Sequence, residues 1–411
     1  MRNRSRAALR GDNITQVRRR NRAMILELVL REPGTCRRDI VHKTGLTAAA
    51  VSDITRELIN EGLVTEEAME DRKVGRNPVG LAIVKDAALA IGGLVHRDHV
   101  VVGLSNLAGQ IVFSRQMSAD CASVEAAQSA LVDLAKVAAT YADDVGRPIV
   151  GMGVSIPGMV VPETGSVRYS SILDWQDVKL AERLQRNIFY PIVIDNDVRG
   201  MALARYWFQD QSHEQFVMVY VGRGIACCSL RNGSIWAGNS GAAGQIGHSI
   251  LDPNGPKCAC GQHGCFEAMV SDKRLVDMTA EAVQNGAISS IGLDELLAGR
   301  VDMDRIYAAI EDGDEAARAA YRTLSRYLGI GLSNLIKIYD PQAVIVAGDI
   351  FRASKFATDL MKKEMRSHFL SEQASPDILV DENPALPLLG SATLALDRLV
   401  FRPEVTTDGT P

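Results

Sequence analysis

The sequence predicts an α/β protein in which a small winged helix-turn-helix head precedes a larger body of two similar lobes facing a cleft. Three observations carry this expectation. Residues 1–85 hold 17 Lys and Arg against 11 Asp and Glu, whereas the rest holds 28 against 39, so a basic head sits on an acidic body. Within the head, apolar residues at helical spacing are interrupted by a glycine turn and followed by two strand-like runs. From residue 84 onward, short β-rich runs alternate with helical segments.

The 411 residues suffice for two or three domains, and 46% hydrophobic with 23% charged residues excludes fibrous, disordered and membrane classes. The first residues are Arg-rich without an apolar leader, and no apolar run approaches the roughly 18 to 20 residues of a membrane span. These features place the protein in the cytoplasm, where thiols stay reduced. Seven Cys, an odd number, then argue against a disulfide framework and for metal ligation where Cys cluster.

In the head, an arm "MRNRSRAALRGDNITQVRRRNR" leads to a first helix with Met24, Ile25, Leu28 and Val29 on one face, stopped by Pro33-Gly34. Thr35 is placed to cap a second helix carrying Ile40 and Val41. "KTGLT" turns at Gly45, and Thr47 caps a third helix with Val51, Ile54, Leu58 and Ile59 inward. Leu63 to Thr65 and Val79 to Val84 read as the strands of a wing tipped by Arg72, Lys73 and Arg76. With the basic arm, this pattern points to DNA; a plain three-helix bundle is the alternative. In the third helix Thr47, Ser52 and Arg56 are expected to reach base edges, and Ala48 and Ala49 to pack on thymine methyls. Arg76 is expected in a minor groove, with phosphate contacts making the affinity salt dependent.

The body opens with "HVVVGLSNLAGQIVFSRQM", a hairpin with an Ala-Gly turn, and "VEAAQSALVDLAKVAATYADD", an amphipathic helix. "PIVGMGVSIPGMV" and "PIVIDNDV" are apolar strands running into polar turns. A second set starts at "FVMVYVGRGIACCSLRNGSIWAG", continues with long helices around 272–283 and 303–338, and closes with the strand "AVIVAGDI". The repeated order predicts the two lobes.

One segment is chemically distinct. In "GQIGHSILDPNGPKCACGQHGCFEA", His248, Cys258, Cys260 and Cys265 give the spacing H-x9-C-x-C-x4-C. Pro253, Gly255, Pro256, Gly261 and Gly264 let the chain bend around one centre. Three thiolates and an imidazole satisfy a closed, structural, tetrahedral Zn²⁺ site; buried free thiols are the alternative. Such a site does no chemistry itself, but would fix the segment carrying Gln245 and Glu267. Cys36, Cys121, Cys227 and Cys228 lack such company and read as core or surface residues.

"GAAGQIGH" followed by "CACGQHGCFEA" resembles the signature of the ROK family (repressors, open reading frames and kinases), G-E-x-G-H then C-x-C-G-x-x-G-C-x-E. "GVSIPGMV", "DNDVRGMA" and "YDPQAVIVAGDI" follow the family's other landmarks, so the resemblance runs from about residue 20 to 400. It implies a two-lobed actin-like, ribonuclease-H-like sugar-kinase fold behind the winged head. The implied domains are 1–83, 84–198 with a helix at about 388–402 returning to it, and 199–387 carrying the zinc motif. It further implies that Asp197 matches the kinases' general base, and that Asn196, His248 and Glu267 match residues bonding pyranose hydroxyls. His248 would serve both metal and sugar, one ring nitrogen each. Gln245 stands where the family usually has Glu, and Ile172 where many relatives have a sugar-contacting Asn. Trp175 is either a sugar-stacking ring or a core residue.

The kinases' phosphate turns, D-x-G-G/A-T and G-T-G-I-G-x-G, are altered. Leu94 and His96 replace the Asp and Gly of the first; Arg223, Ala226 and Cys228 replace Thr and two Gly of the second, while Gly222 and Gly224 remain. Side chains there obstruct ATP, and no Mg²⁺ ligand is evident nearby. The expectation is a non-catalytic, sugar-sensing regulator, a repressor of carbohydrate uptake or catabolism, binding a palindromic operator as a homodimer or homotetramer. The alternatives are an ATP-dependent, hexokinase-type sugar kinase with an added head, and a regulator answering to a protein partner.

Overall fold

The computed structural model describes residues 14–68, 79–209, 213–370 and 375–402. The wing-tip residues Arg72, Lys73 and Arg76 lie outside them.

In the head, α1 (Ile14–Arg31) begins inside the stretch expected to be an arm. It is helical there because its arginines have partners: Arg18 pairs with Glu57 at 2.8 Å and Arg22 with Glu61, while Ile25, Leu26 and Val29 are buried. Thr35 does not cap the second helix. Thr35–Cys36 form a short strand, β1, and Cys36 stands at the N-cap of α2 (Arg37–Thr44) with no side-chain bond. The turn at Gly45 follows. Thr47 does cap α3 (Ala48–Asn60), its hydroxyl accepting from Ala50 N at 3.2 Å. β2 (Val64–Ala68) and β3 (Val79–Ile83) pair antiparallel as the flanks of the wing, with β1 on the other edge of β3.

The body holds two five-stranded sheets built alike. The first contains β4 (Leu89–Val95), β5 (His99–Asn106), β6 (Ile111–Ser118), β7 (Ile149–Ile156) and, after a small sheet of β8 (Met159–Val161), β9 (Ser166–Ser170) and β10 (Trp175–Val178), β11 (Ile192–Asn196). Its order is β11-β7-β4-β5-β6, parallel across the first three strands and antiparallel across the last three. α4 (Val124–Asp144), capped by Ser123, covers one face, and α5 (Leu180–Leu184) follows the small sheet.

α6 (Asp197–Phe208) leads to the second sheet: β12 (Gln215–Val221), β13 (Ile225–Arg231), β14 (Ser234–Ile235), β15 (Ala343–Ala347) and β16 (Asp377–Val380). Its order, β16-β15-β12-β13-β14, repeats the parallel and antiparallel pattern of the first. Between β14 and β15 run α7 (Phe266–Val270), α8 (Asp272–Gln284), α9 (Leu293–Leu297), α10 (Met303–Asp312) and α11 (Glu315–Tyr339). The expected single helix over 303–338 is therefore two. Gly313, at φ 97°, ends α10, and Asp314 starts α11 by accepting from Ala317 N at 3.0 Å. α12 (Asp349–Ala353) and α13 (Lys355–Arg366) precede β16, and α14 (Leu386–Leu396) returns to the first sheet. α14 comes so close that a Cβ on Gly153 would stand 1.9 Å from Ser391 O, so only glycine fits there. Trp175 belongs to the core: it is 2% exposed, and its Nε1 donates to Cys121 O at 2.9 Å. Cys36, Cys121, Cys227 and Cys228 are all buried. Among the described residues, no helix is long and apolar enough to cross a membrane.

Candidate functional site

The five expected ligand-binding residues meet in one cavity of about 550 Å³ between the two sheets. β11 ends at Asn196, which caps α6: its Oδ1 accepts from Val198 N at 3.0 Å and Arg199 N at 3.3 Å, and its Nδ2 donates to Gly158 O at 3.1 Å. Most of that amide is spent on the fold, leaving one N–H for a ligand. Asp197 follows in the first turn. Burial pushes its carboxyl up to about 6, against the pull of the Val198 N–H. The second lobe supplies Gln245 and His248 from the 3-10 turn Ile246–His248 and its flank, and Glu267 from the first turn of α7. Glu267 Oε2 accepts from Ile225 N at 3.3 Å; burial raises its pKa while His248 lowers it. Ile172, Leu94, Ile225 and Met201 add apolar wall. Two carboxylates, two amides and an imidazole in a half-apolar cleft suit a polyhydroxylated ligand, whose hydroxyls both donate and accept.

Behind this wall His248, Cys258, Cys260 and Cys265 converge, with all four donor atoms within 4.8 Å of one another. His248 Nδ1 lies 3.7 Å from Cys258 Sγ, and Cys260 Sγ 3.6 Å from Cys265 Sγ. The imidazole thus turns Nδ1 to the thiols while its ring borders the cavity. The loop closes through bridges Ile250↔Cys265 and Lys257↔His263. Gly264, at φ 63°, is required: a Cβ there would meet Asp252 O at 1.4 Å. Burial and the neighbouring thiols push Cys265 up to about 12, burial raises Cys258, and against burial the hydrogen bonds from Gln262 and the other two thiols lower Cys260. Three sulfurs and one nitrogen at this separation fit a tetrahedral metal ion.

On the head, Thr47, Ala48, Ala49 and Arg56 are exposed and Ser52 half-buried on the outward side of α3, while Val51, Ile54, Thr55 and Leu58 face inward. Arg56 lies 3.3 Å from Asp53 Oδ1, an exposed pair that a phosphate or base can displace.

The ROK family profile matches residues 88–398. The chain belongs to the ROK family. A winged helix-turn-helix DNA-binding profile matches residues 18–65. Over 357 residues this ROK protein is 29% identical to the xylose repressor of Caldicellulosiruptor bescii, covering 85% of this chain and 88% of that one. It is 26% identical over 345 residues to the DNA-binding transcriptional dual regulator NagC of Escherichia coli, covering 84% of each. A solved ROK family transcriptional regulator, a homolog of the E. coli MLC protein, matches with TM-score 0.81 at 22% identity over 94% of this chain and 97% of that one. A Streptomyces griseus ROK family glucokinase, solved with glucose and AMPPNP, matches with TM-score 0.68 at 22% identity over 75% of this chain and 100% of that one. Those two likenesses establish the fold: a winged head followed by the ROK α/β body.

The ROK cavity also contains residues that sequence reasoning missed. Asp272, Asp302, Asp304 and Asp349 also line it. Three of them already have partners in the chain. Tyr307 donates to Asp272 at 2.6 Å, Asp302 caps α10, and Asp349 pairs with Arg352. They arrive from three helices, and although Asp349 lies in the landmark "YDPQAVIVAGDI", nothing in the sequence set it beside the other three. At the two altered turns, Arg223 of the second lobe pairs with Asp98 of the first at 2.9 Å, and His96 stacks on His99 with centroids 4.2 Å apart. Burial lowers His96 to about 4, leaving it neutral at physiological pH.

Proposed function

We propose that this ROK protein is a cytoplasmic, sugar-responsive transcriptional repressor that binds operator DNA through its winged head and a pyranose or sugar derivative between its lobes. One observation carries the reading: a DNA-binding head and a cavity lined by hydroxyl-bonding side chains occur in one chain whose curated relatives include named sugar repressors. Asp197, Gln245, His248, Glu267 and the free N–H of Asn196 hold the sugar. His248, Cys258, Cys260 and Cys265 hold Zn²⁺, which ties the segment bearing Gln245, His248 and Glu267 into one piece when bound. Thr47, Ala48, Ala49, Ser52 and Arg56 read the operator, with Arg76 in a minor groove. The working division is a head of 1–83, a first lobe of 84–198 joined by the helix at about 388–402, and a second lobe of 199–387.

Closure on the sugar changes the placement of the two heads in a homo-oligomer, so that they no longer match half-sites about 34 Å apart on a palindromic operator. Phosphoryl transfer is not part of this reading. Arg223 and His96 occupy the turns where a kinase needs bare backbone, and Arg223 closes on Asp98 across the cleft mouth. Asp197 therefore serves as an acceptor of sugar hydroxyls.

The test is a thermal-unfolding series on zinc-loaded protein with xylose, N-acetylglucosamine, glucose, their phosphates and Mg-ATP. A ligand of the folded state adds about 2.7 kcal/mol at a hundredfold excess over its Kd. A shift with a sugar and none with Mg-ATP is expected. Sustained ADP release that disappears in Asp197→Asn would instead establish a kinase.

A further inference from the structure

One helix joins the cleft to the head. α6 begins at the cavity, with Asn196 as its cap and Asp197 in its first turn, and its 12 residues carry it about 18 Å at 1.5 Å per residue. Near its start, Arg199 is 3% exposed and pairs with Asp195 at 3.0 Å. The same guanidinium donates to Gly241 O at 2.7 Å and to Ala237 O and Ala243 O at 3.4 Å, gripping the second-lobe loop that runs into Gln245. Any movement of that loop therefore acts on α6 through the hydrogen bonds from this buried guanidinium to the loop carbonyls.

The last turn of α6 meets α1. Tyr206 Oη donates to Glu27 Oε1, and the Arg31 guanidinium lies 3.9 Å from the centre of the Tyr206 ring. Arg402 donates to the other Glu27 oxygen at 3.3 Å and lies 4.8 Å from the Trp207 ring centre. Trp207 Nε1 donates to Asp397 at 2.8 Å. Arg31 Nη2 also lies 3.3 Å from Glu27 Oε1, while its Nε is buried without an acceptor. From α1 the connection continues to the DNA-reading helix, since Ile25, Leu26 and Val29 of α1 share a buried core with Val51, Ile54 and Leu58 of α3, and Arg18 and Arg22 pair with Glu57 and Glu61 at its end.

A half-buried phenol–carboxylate–guanidinium junction keeps its bonds or exchanges them for another set. We propose that the Tyr206–Glu27–Arg402 junction couples occupancy of the cleft to the orientation of α3, with α6 as the rod between them. This rests on the sugar-responsive repressor reading and names its internal route.

The test uses Tyr206→Phe and Glu27→Gln, which keep shape while removing the phenolic donor or the charge. The probe DNA is a duplex selected from random sequence by the wild-type protein, titrated with and without xylose, N-acetylglucosamine, glucose and their phosphates. In the wild type, a bound sugar weakens duplex affinity about 5- to 150-fold, the usual span of allosteric couplings. Both variants are expected to bind duplex alone and sugar alone within about twofold of wild type, while their ratio falls towards one. Hydrogen exchange over α1 is expected to respond to sugar in the wild type and not in the variants. A wild-type ratio in both variants overturns the junction's role. So does loss of duplex or sugar binding on its own, which makes the junction mere support. A wild type whose duplex binding ignores xylose, N-acetylglucosamine, glucose and their phosphates alike overturns the repressor reading itself, and this inference with it.

Discussion

Asp197 sits where two demands meet, inside the cleft and at the start of α6. Its carboxyl titrates at about 6, above the ordinary 3.8, because burial strips water from the anion. A raised carboxyl favours the folded state in its neutral form. That contribution is complete below about pH 4 and is lost as pH rises through about 6. At neutral pH the empty cleft thus carries a poorly solvated carboxylate, and in the proposed function sugar hydroxyls are the donors that relieve it. Sugar affinity is expected to fall about tenfold per pH unit below pH 6, as calorimetry at pH 5, 6, 7 and 8 would reveal. Asp197→Asn should flatten that dependence, weaken the sugar, and raise the unfolding midpoint of the empty protein at pH 8. Trp175 makes the contrasting case. Removing its N–H in Trp175→Phe strands the Cys121 carbonyl and should cost about 1 to 3 kcal/mol in denaturant unfolding, with sugar affinity unchanged.

Among the elements, the thiol loop has the most to hold. It fixes the ends of two segments, so that Gln245 and His248 face Glu267 across the cavity wall. Stripping the metal with a chelator should lower the unfolding midpoint and reduce sugar affinity more than about tenfold, while duplex binding without sugar stays within about twofold. Gly264→Ala should reproduce both effects without a chelator, because its Cβ has no room beside Asp252 O. In the head, Thr47→Ala removes the cap of α3 and should cost about 1 kcal/mol of stability.

These elements differ in how legible they were. α4 could be read to the residue, since Ser123 caps it and alanines and leucines keep a clean period. The thiol cluster was legible because three Cys and one His at short spacing have few other uses. The start of α1 was hidden by a run of arginines that looks like a solvated arm until Glu57 and Glu61 are seen beside it. The break between α10 and α11 rests on Gly313, which periodicity alone passes over. The acidic wall was invisible because chain folding, not spacing, assembles it. Asn196 was singled out through the family resemblance, but its use as a helix cap emerges only from its backbone partners.

At the scale of the whole molecule, two sheets of the same strand pattern enclose one cleft, and a head rides on the helix that leaves it. Under the proposed reading, sugar and operator compete through shape. A coupling of about 1 to 3 kcal/mol suffices, and it must act equally in both directions at equilibrium. The most direct test is therefore the sugar affinity of zinc-loaded protein, measured by calorimetry with and without saturating selected duplex. The account predicts that duplex weakens sugar binding by the same factor by which sugar weakens duplex binding. Sugar affinity indifferent to DNA would contradict it, even if both ligands bind.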